Sequence, residues 1–340
     1  MVRKRKRKKS GIRIFAALIF MFVLVVSAYT SISILGSHQI FKKEYDDNTA
    51  SYRSVKVTPN STEDRIILPN PSIVPEPTIS EASESLNSPN AILIRLTDDT
   101  VLMQKNSEDI VYPASLTKMM TTIVAIENLP DLTAEIELTN AVFEGLYEAD
   151  ASMAGFEPGE RVKAIDLLYG IMLPSGAECC IGLADQIAGS EQNFVELMNQ
   201  KAAELGMINT HFENTTGLHD ENHYTNVKDL SVLLSYALKN DTFREIFTSA
   251  KHFTLPTNRH PEGMTFYSTM FKGLGNQTIM DGEIIGGKTG YTEEAGLCLA
   301  SLAEVGEDEY ILISAGAKGN HRTEQYNITD ALVVYNSIGK

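Results

Sequence analysis

The sequence contains no tryptophan and only three cysteines. The cysteines are Cys179, Cys180 and Cys298, and an odd number that includes an adjacent pair does not make a disulfide framework. We expect all three to serve as small buried hydrophobic residues. A bridge from Cys179 or Cys180 to Cys298 is the alternative.

Positive charge is scarce beyond the amino terminus. Eight of the 29 lysines and arginines lie within residues 1–13, and the remaining 21 stand against 44 acidic residues. A chain this acidic offers no basic stripe to neutralise phosphates, which argues against nucleic acid as a partner. No glycine-rich phosphate loop precedes a predicted helix. We predict that the protein uses no cofactor.

One long hydrophobic run is present, near the start. Residues 14–36 carry no charge, and as a helix they would extend about 34 Å, enough to cross a hydrocarbon layer of about 30 Å. The basic tail, residues 1–13, would stay in the cytoplasm. We predict a single-pass transmembrane anchor in the cell membrane, with the rest of the chain outside the cytoplasm. The alternative is a signal peptide, residues 1–28, whose cleavage after Val26-Ser27-Ala28 would make the protein secreted.

The remainder divides into a linker and a domain. Residues 37–88 are rich in proline, serine and glutamate and show no sustained period, which predicts an extended or disordered linker. Residues 89–340 form the domain. It begins with a predicted hairpin, 91–96 and 101–104, around the turn residues 97–100.

Hydrophobic periodicity predicts the other elements. The predicted helices cover residues 113–129, 162–173, 177–188, 193–205, 227–238 and 329–338, and the predicted strands cover 283–292, 297–305 and 310–315. This order indicates an α+β fold in which an antiparallel sheet, formed by both ends of the domain, packs against a helical cluster.

Ser115 and Lys118 lie at the start of the first predicted helix. A spacing of three places both side chains on the same helix face. An amine one turn away can take the proton of a serine hydroxyl if burial or a second cation lowers its pKa. The helix amino terminus favours a developing anion. Because Ser337 and Lys340 have the same spacing, the pattern alone does not identify a site.

Ser175 lies between Pro174 and Gly176, at the predicted break between two helices. Such a break can expose a side chain to a cleft, where Ser175 could relay a proton. A helix cap is the alternative.

Lys288 and Thr289 follow Gly287 in a predicted strand and precede Gly290 and Tyr291. Glycine weakens strands and often marks the close approach of a ligand or another backbone. A cation beside a hydroxyl can hold a carboxylate. The alternative is a bulged edge strand whose lysine blocks aggregation.

His219 and His223 have the spacing of a zinc-binding pair on a helix. Gly217 and Asn222 indicate a loop instead, and the sequence offers no obvious third ligand. We therefore predict no metal site.

Four stretches, taken in order, resemble the serine D-alanyl-D-alanine carboxypeptidases, which are low-molecular-weight penicillin-binding proteins of the peptidase S11 type. They are residues 112–118, residues 172–176, residues 205–212 together with 216–220, and residues 286–292, and the resemblance extends over residues 89–340. It implies a β-lactamase/transpeptidase-like fold. It also implies a cell-wall hydrolase that removes the terminal D-alanine from peptidoglycan stem peptides ending in D-Ala-D-Ala and that β-lactams inhibit covalently.

The same resemblance implies roles for individual residues. Ser115 would be the acylated nucleophile and Lys118 its general base. Ser175 would help deliver a proton to the departing D-alanine. A charged Lys288 nearby would help to keep Lys118 neutral.

The resemblance also implies how the substrate is bound. Lys288 and Thr289, with Gly290, would hold the terminal carboxylate. The backbone N–H groups of Ser115 and Tyr291 would form the oxyanion hole.

The chain departs from the family pattern at two places. The middle motif usually reads Ser-x-Asn, whereas Ala177 stands at the position of the amide. Losing one such contact costs about 1 to 3 kcal/mol, so we expect an active but altered enzyme, with Glu178 or a water in the vacant space. Many relatives also carry a carboxy-terminal β domain and a membrane-binding helix, whereas this chain ends at Lys340. The amino-terminal anchor would substitute for that helix.

Two other functions remain open. A class A β-lactamase shares the Ser-x-x-Lys and Lys-Thr-Gly motifs, but it needs a Glu-x-x-Leu-Asn loop that the sequence lacks. A non-catalytic wall-binding or penicillin-sensing protein would be acylated without turnover, and Ala177 is the argument for it.

Overall fold

The structure, a computed structural model, describes residues 82–338. Its strands are β1 (Asn90–Arg95), β2 (Thr100–Lys105), β3 (Glu135–Leu138), β4 (Glu160–Lys163), β5 (Lys251–Phe253), β6 (Thr265–Tyr267), β7 (Thr278–Ile279), β8 (Gly282–Thr292), β9 (Gly296–Val305) and β10 (Asp308–Ala317). Six of them form an antiparallel sheet in the order β2-β1-β10-β9-β8-β7. Because β1 pairs with β10, both ends of the domain meet in one sheet, as predicted.

Helices accompany these strands from Thr117 onward. They are α1 (Thr117–Asn128), α2 (Ala164–Met172), α3 (Ala177–Ala188), α4 (Glu191–Glu204), α5 (Val227–Ala237), α6 (Asp241–Thr248), α7 (Thr269–Leu274) and α8 (Tyr326–Tyr335). All six predicted helices are present. Their ends follow local chemistry: Gly189 adopts a φ of 77° after α3, and the Ser190 hydroxyl caps α4 by accepting the N–H of Asn193.

The sheet buries both of its faces, since successive side chains of a strand point to opposite sides. On one face Ile92, Ala300 and Ile313 join the larger core, which includes most of α1 to α6. On the other face Leu93 and Leu312 pack with residues of α7 and α8. The nucleophile candidate lies on the side of the larger core.

Several short parts of the fold differ from the prediction, and the strands β3 and β7 are among the elements that were not predicted. Val162 and Lys163 were assigned to a helix, but they belong to β4 and pair with Ile136 and Glu135 of β3. The helices α6 and α7 and the β5–β6 hairpin were not predicted. These elements are three to eight residues long, and such short segments carry too few periodic positions to stand out.

Packing begins before the predicted end of the linker. Ala82 and Leu86 are buried, and the Asp330 carboxylate accepts the N–H groups of Asn87 and Ser88 at 2.9 and 2.7 Å. Residues 82–88 therefore belong to the folded domain. The predicted anchor and the rest of the linker lie outside the described residues, and within residues 82–338 no helix is long and apolar enough to span a membrane.

Cys179, Cys180 and Cys298 are all buried and free. The prediction of small buried hydrophobic residues is thus confirmed, and the alternative bridge to Cys298 is wrong. Burial raises the pKa of the Cys180 thiol to about 12 and that of Cys298 to about 11.

Candidate active site

Ser115 lies in a short 3₁₀ turn, Ala114–Leu116, that leads directly into α1. The sequence placed it in the first turn of the α-helix, so it sits slightly earlier than predicted. Ala114 enters the turn with a φ of 47°, which is uncommon for a residue with a side chain. Leu116 and Met119 are fully buried and fix the turn to the core, which leaves Ser115 half-buried at the surface.

Lys118 faces Ser115, as the spacing predicted. Its ammonium nitrogen lies 3.2 Å from the Ser115 hydroxyl oxygen and donates to the carbonyl oxygen of Thr216 at 2.5 Å. The side chain is buried, with 2% of its surface exposed. The amine is therefore held beside the hydroxyl and away from bulk water.

The carbonyl of Thr216, which accepts the hydrogen bond from Lys118, was not identified from the sequence. It sits in a loop organised by Asn214, whose side-chain oxygen accepts the N–H groups of Thr216 and Gly217 at 3.2 and 2.7 Å. Gly217 has a φ of 79°, and a Cβ there would lie 1.9 Å from the carbonyl oxygen of Ala114. Only glycine allows this loop to pack against the turn that carries the nucleophile. The Asn-Thr-Thr-Gly run is a turn signal that could have indicated the loop.

Ser175 lies at the break between α2 and α3, where it was predicted. Its hydroxyl accepts a hydrogen bond from the Lys288 ammonium at 3.0 Å. Residue Gly176 occupies the cap position of α3, and no side chain caps that helix. The alternative of Ser175 as a helix cap is therefore wrong.

Lys288 is completely buried in β8. It also donates to the carbonyl of Thr289 at 2.8 Å, and the Thr289 hydroxyl is 2.7 Å from that of Thr269. The strand does have a bulge, between Ile284 and Gly286, as the alternative prediction required. A buried lysine cannot protect an exposed edge, so the aggregation-blocking role is wrong.

Strand β8 passes directly beside Ser115. A Cβ at Gly290 would lie 3.1 Å from the backbone nitrogen of Ser115. Beyond Glu283, this strand pairs with β9 alone, so its other edge is open toward Ser115. The Tyr291 ring meets the His321 ring edge-on at 4.8 Å between centroids.

Burial lowers the pKa of both lysines. At Lys118 burial is the dominant cause. Burial together with repulsion from Lys118 lowers the pKa of Lys288 well below its usual range. The prediction of a lowered pKa at Lys118 has the right direction, but burial rather than the second lysine is its main source.

The candidate residues surround one cleft made of two adjoining cavities of about 350 and 340 Å³. Ser115, Ser152, Tyr291 and His321 line both. Lys118 and Ala177 line the first, and Ser175, Thr289 and Gly290 line the second. The cleft therefore brings all the sequence-predicted residues together except Lys288, which lies behind Ser175.

Ala177 places a methyl group where the family pattern has an amide. The neighbouring Glu178 does not fill the space, because one of its carboxylate oxygens accepts the N–H groups of Ala154 and Gly155 at 2.8 and 2.9 Å. Its other oxygen is buried without a hydrogen-bond partner in the described part of the chain. Burial raises the pKa of this carboxyl group.

The two histidines lie in a loop, as predicted. His223 is buried, with its ring nitrogens bonded to the Thr117 hydroxyl and the Glu213 N–H. Burial lowers its pKa to about 4. His219 packs edge-on against Tyr112. Among residues 82–338, no group of three or more potential metal ligands occurs.

Comparison with known sequences identifies one protein family, to which both the matching family model and the matching relatives belong. The family model for D-alanyl-D-alanine carboxypeptidases, peptidase S11, matches residues 77–319. D-alanyl-D-alanine carboxypeptidase DacF of Bacillus subtilis is 34% identical over 242 residues, which are 67% of this chain and 57% of DacF. The corresponding DacC of Escherichia coli is 32% identical over 257 residues, or 71% of this chain and 61% of DacC. The chain thus spans about three fifths of the length of these curated relatives.

Solved structures share the fold. The crystal structure of the Streptomyces K15 DD-transpeptidase superimposes with a TM-score of 0.66 at 26% identity, covering 74% of this chain and 97% of that chain. A D-alanyl-D-alanine carboxypeptidase from Mycobacterium tuberculosis has a TM-score of 0.66 at 24% identity, covering 78% and 93%. The antiparallel sheet with flanking helices is therefore a transpeptidase-like α+β fold.

Proposed function

Because the chain belongs to the D-alanyl-D-alanine carboxypeptidase family, we propose that it is a serine D,D-carboxypeptidase. Its substrate would be the peptidoglycan stem peptide that ends in D-Ala-D-Ala. The observation that carries the proposal is the contact between a buried amine and an accessible serine, Lys118 and Ser115, inside a cleft edged by an open strand.

Acylation starts at Ser115. Its hydroxyl proton passes to the neutral amine of Lys118 while the serine oxygen attacks the carbonyl carbon of the penultimate D-alanine. The carbonyl oxygen becomes an oxyanion. The backbone N–H groups of Ser115 and Tyr291 would donate to it, and preorganised donors of this kind lower the barrier by about 3 kcal/mol each.

Departure of D-alanine requires a proton on its nitrogen. Protonated Lys118 would pass its proton to the Ser175 oxygen while the Ser175 hydroxyl proton moves to the nitrogen and the C–N bond breaks, which returns Lys118 to its neutral form. The hydrogen bond that Ser175 accepts from Lys288 supports this role, because it orients the Ser175 hydroxyl at the wall of the cleft. The products are a Ser115 ester and free D-alanine.

Water completes the reaction. Lys118 accepts a proton from a water that attacks the ester carbonyl, and the released serine oxygen takes that proton back. The shortened stem peptide then leaves. The net reaction is hydrolysis of the terminal peptide bond, and it involves no redox step.

The terminal carboxylate of the substrate would bind at Thr289, beside Gly290, with the charge of Lys288 acting on it from behind Ser175. An arriving anion favours the charged form of Lys288 and offsets part of its burial. The stem peptide itself would lie along the open edge of β8 as an added strand. Gly290 supports that placement, since it leaves no side chain between the strand and the nucleophile turn.

The predicted amino-terminal anchor completes the proposal. We infer a cell-membrane enzyme whose catalytic domain acts outside the cytoplasm, with residues 14–36 as the membrane span. The uncharged run and the basic residues before it support this placement.

The test is release of D-alanine from a peptide ending in D-Ala-D-Ala by the full-length protein. We expect release that is lost in Ser115→Ala and retained in Ser337→Ala, the serine of the matching spacing at the other end of the chain. Absence of release by the unaltered protein would contradict the proposal. Labelling by a fluorescent penicillin without release would favour the penicillin sensor, and rapid penicillin hydrolysis would favour the β-lactamase.

A further inference from the structure

Ser152 lies in the cleft and is hydrogen-bonded through its backbone to Ala177, the residue that stands where the family pattern has an amide. It is exposed, and it lines both cavities beside Ser115. Its backbone carbonyl accepts the N–H of Ala177 at 2.8 Å. The backbones of Ser152 and Ala177 are therefore joined directly, and both residues line the first cavity together with Ser115.

The hydroxyl of Ser152 is available for a ligand. Within residues 82–338 it makes no hydrogen bond, whereas the hydroxyl of Ser175 is bonded to Lys288. A serine hydroxyl can donate one hydrogen bond and accept two. It thus has both functions that an asparagine amide would supply to a peptide bond of the substrate.

Glu178 fixes the position of Ser152 by binding the backbone of the residues that follow it. One oxygen of this buried carboxyl group accepts the N–H groups of Ala154 and Gly155, the residues just after the serine. A Cβ at Gly176 would lie 2.7 Å from the Cβ of Ala154. The segment 152–155 is therefore pressed against the junction that carries Ser175 and Ala177.

We propose that Ser152 is a substrate-binding residue that replaces the absent amide, and that Glu178 is the positioning residue that holds it in the cleft. The inference deepens the proposed function and rests on it. It explains how a chain with alanine in the middle motif retains a donor and an acceptor at that wall of the cleft.

The decisive experiment is a double-mutant cycle in the full-length protein. Ser152→Ala, Ala177→Asn and the double variant are compared for kcat and KM of D-alanine release and for the rate of labelling by fluorescent penicillin. We expect Ser152→Ala to lower kcat/KM about tenfold, as the loss of one substrate hydrogen bond does. The added asparagine should restore most of that loss in the double variant and have a smaller effect in the unaltered protein.

Ser235→Ala is the matched control, a half-buried serine on α5 that does not line the cleft. The thermal midpoint of Ser152→Ala should stay unchanged, because its hydroxyl makes no internal hydrogen bond in the described residues. If Ser152→Ala stays within twofold of the unaltered enzyme, the inference is wrong. If the unaltered protein neither releases D-alanine nor is labelled, the proposed function fails and the inference falls with it.

Glu178 is tested by comparing alanine with glutamine. A single oxygen accepts both N–H groups, so the amide oxygen of Glu178→Gln can replace it, whereas Glu178→Ala cannot. We expect Glu178→Ala to raise KM about tenfold with a smaller change in kcat, and Glu178→Gln to restore KM to within threefold. Equal damage by both variants, or loss of kcat with KM unchanged, would show that the carboxyl group does not act by positioning Ser152.

Discussion

At the scale of single residues, the proposed chemistry depends on one amine whose pKa is lowered. Lys118 is an ordinary lysine by sequence, and its pKa is lowered because its side chain is buried in the domain. Burial disfavours the charged form of a lysine. The group that takes the serine proton is thus made by the packing of the fold around it.

The lowered pKa of Lys118 predicts how the acylation rate depends on pH and on the residue at position 118. Below the lowered pKa of Lys118 the amine is protonated and cannot accept a proton, so the acylation rate should rise with pH through that pKa. Lys118→Arg keeps a cation that cannot be deprotonated, and it should slow acylation by about 10²- to 10⁴-fold. Lys239→Arg, an exposed lysine, is the control. A Lys118→Arg enzyme within tenfold of the unaltered rate would show that Lys118 is not the base.

Most of the candidate residues could be predicted because their signals are local. Ser115 and Lys118 lie one turn apart, and Lys288 sits in a short glycine-flanked motif. The carbonyl of Thr216 and the hydroxyl of Ser152 could not, because they come near the nucleophile only through tertiary packing. In addition, every residue type has a backbone carbonyl, so the residue type at position 216 gives no indication that its carbonyl takes part in the site.

At the scale of elements, the nucleophile turn is held between a loop and a strand. Gly217 brings the loop onto Ala114, and Gly290 brings β8 onto the backbone nitrogen of Ser115. A methyl group at Gly217 would displace the turn, and one at Gly290 would lie 3.1 Å from the Ser115 nitrogen, which is tighter than an ordinary contact. The proposed oxyanion hole thus depends on two residues that have no side chains.

Gly217→Ala should therefore damage acylation more than folding. The added Cβ would collide with the Ala114 carbonyl and shift the N–H of Ser115, and we expect acylation to slow by about 10²-fold, as for loss of an oxyanion donor. Gly189→Ala is a matched control, since Gly189 has a similar φ of 77° and a Cβ there would meet no atom within 4 Å. Both variants share the backbone strain, so equal acylation rates in the two would contradict the proposed contact.

The sequence predicted the elements whose hydrophobic pattern continues over many residues. Helix α3 was placed at its observed bounds because Pro174 precedes it and Gly189 ends it. Val162 was misplaced because its alternation in β4 lasts only four residues before α2 begins. Pairing with β3, which lies far away in sequence, decides that assignment, and no local pattern contains it.

At the scale of the whole molecule, the two ends of the domain stabilise each other. β1 lies between β2 and β10, and the buried carboxylate of Asp330 in α8 binds the segment that leads into β1. Folding therefore needs the last helix as much as the first strands. The predicted order of elements was sufficient to indicate this closure, although not the contact at Asp330.

Asp330→Ala should lower stability without changing the chemistry. It leaves the N–H groups of Asn87 and Ser88 without their acceptor, and a buried unsatisfied group costs about 1 to 3 kcal/mol. For a domain of this size we expect the thermal midpoint to fall by roughly 5 to 10 °C, with kcat/KM for D-alanine release unchanged below the transition. Asp109→Ala, at an exposed position, is the control. An unchanged midpoint would show that this contact does not join the ends.

The most direct test of the catalytic assignment is mass spectrometry of the protein after reaction with benzylpenicillin. We expect one covalent penicilloyl adduct per chain, located on Ser115 by peptide mapping and absent from Ser115→Ala. Lys118→Arg should acquire the same adduct far more slowly. An adduct on another residue, or none on the unaltered folded protein, would contradict the assignment of Ser115 as the nucleophile.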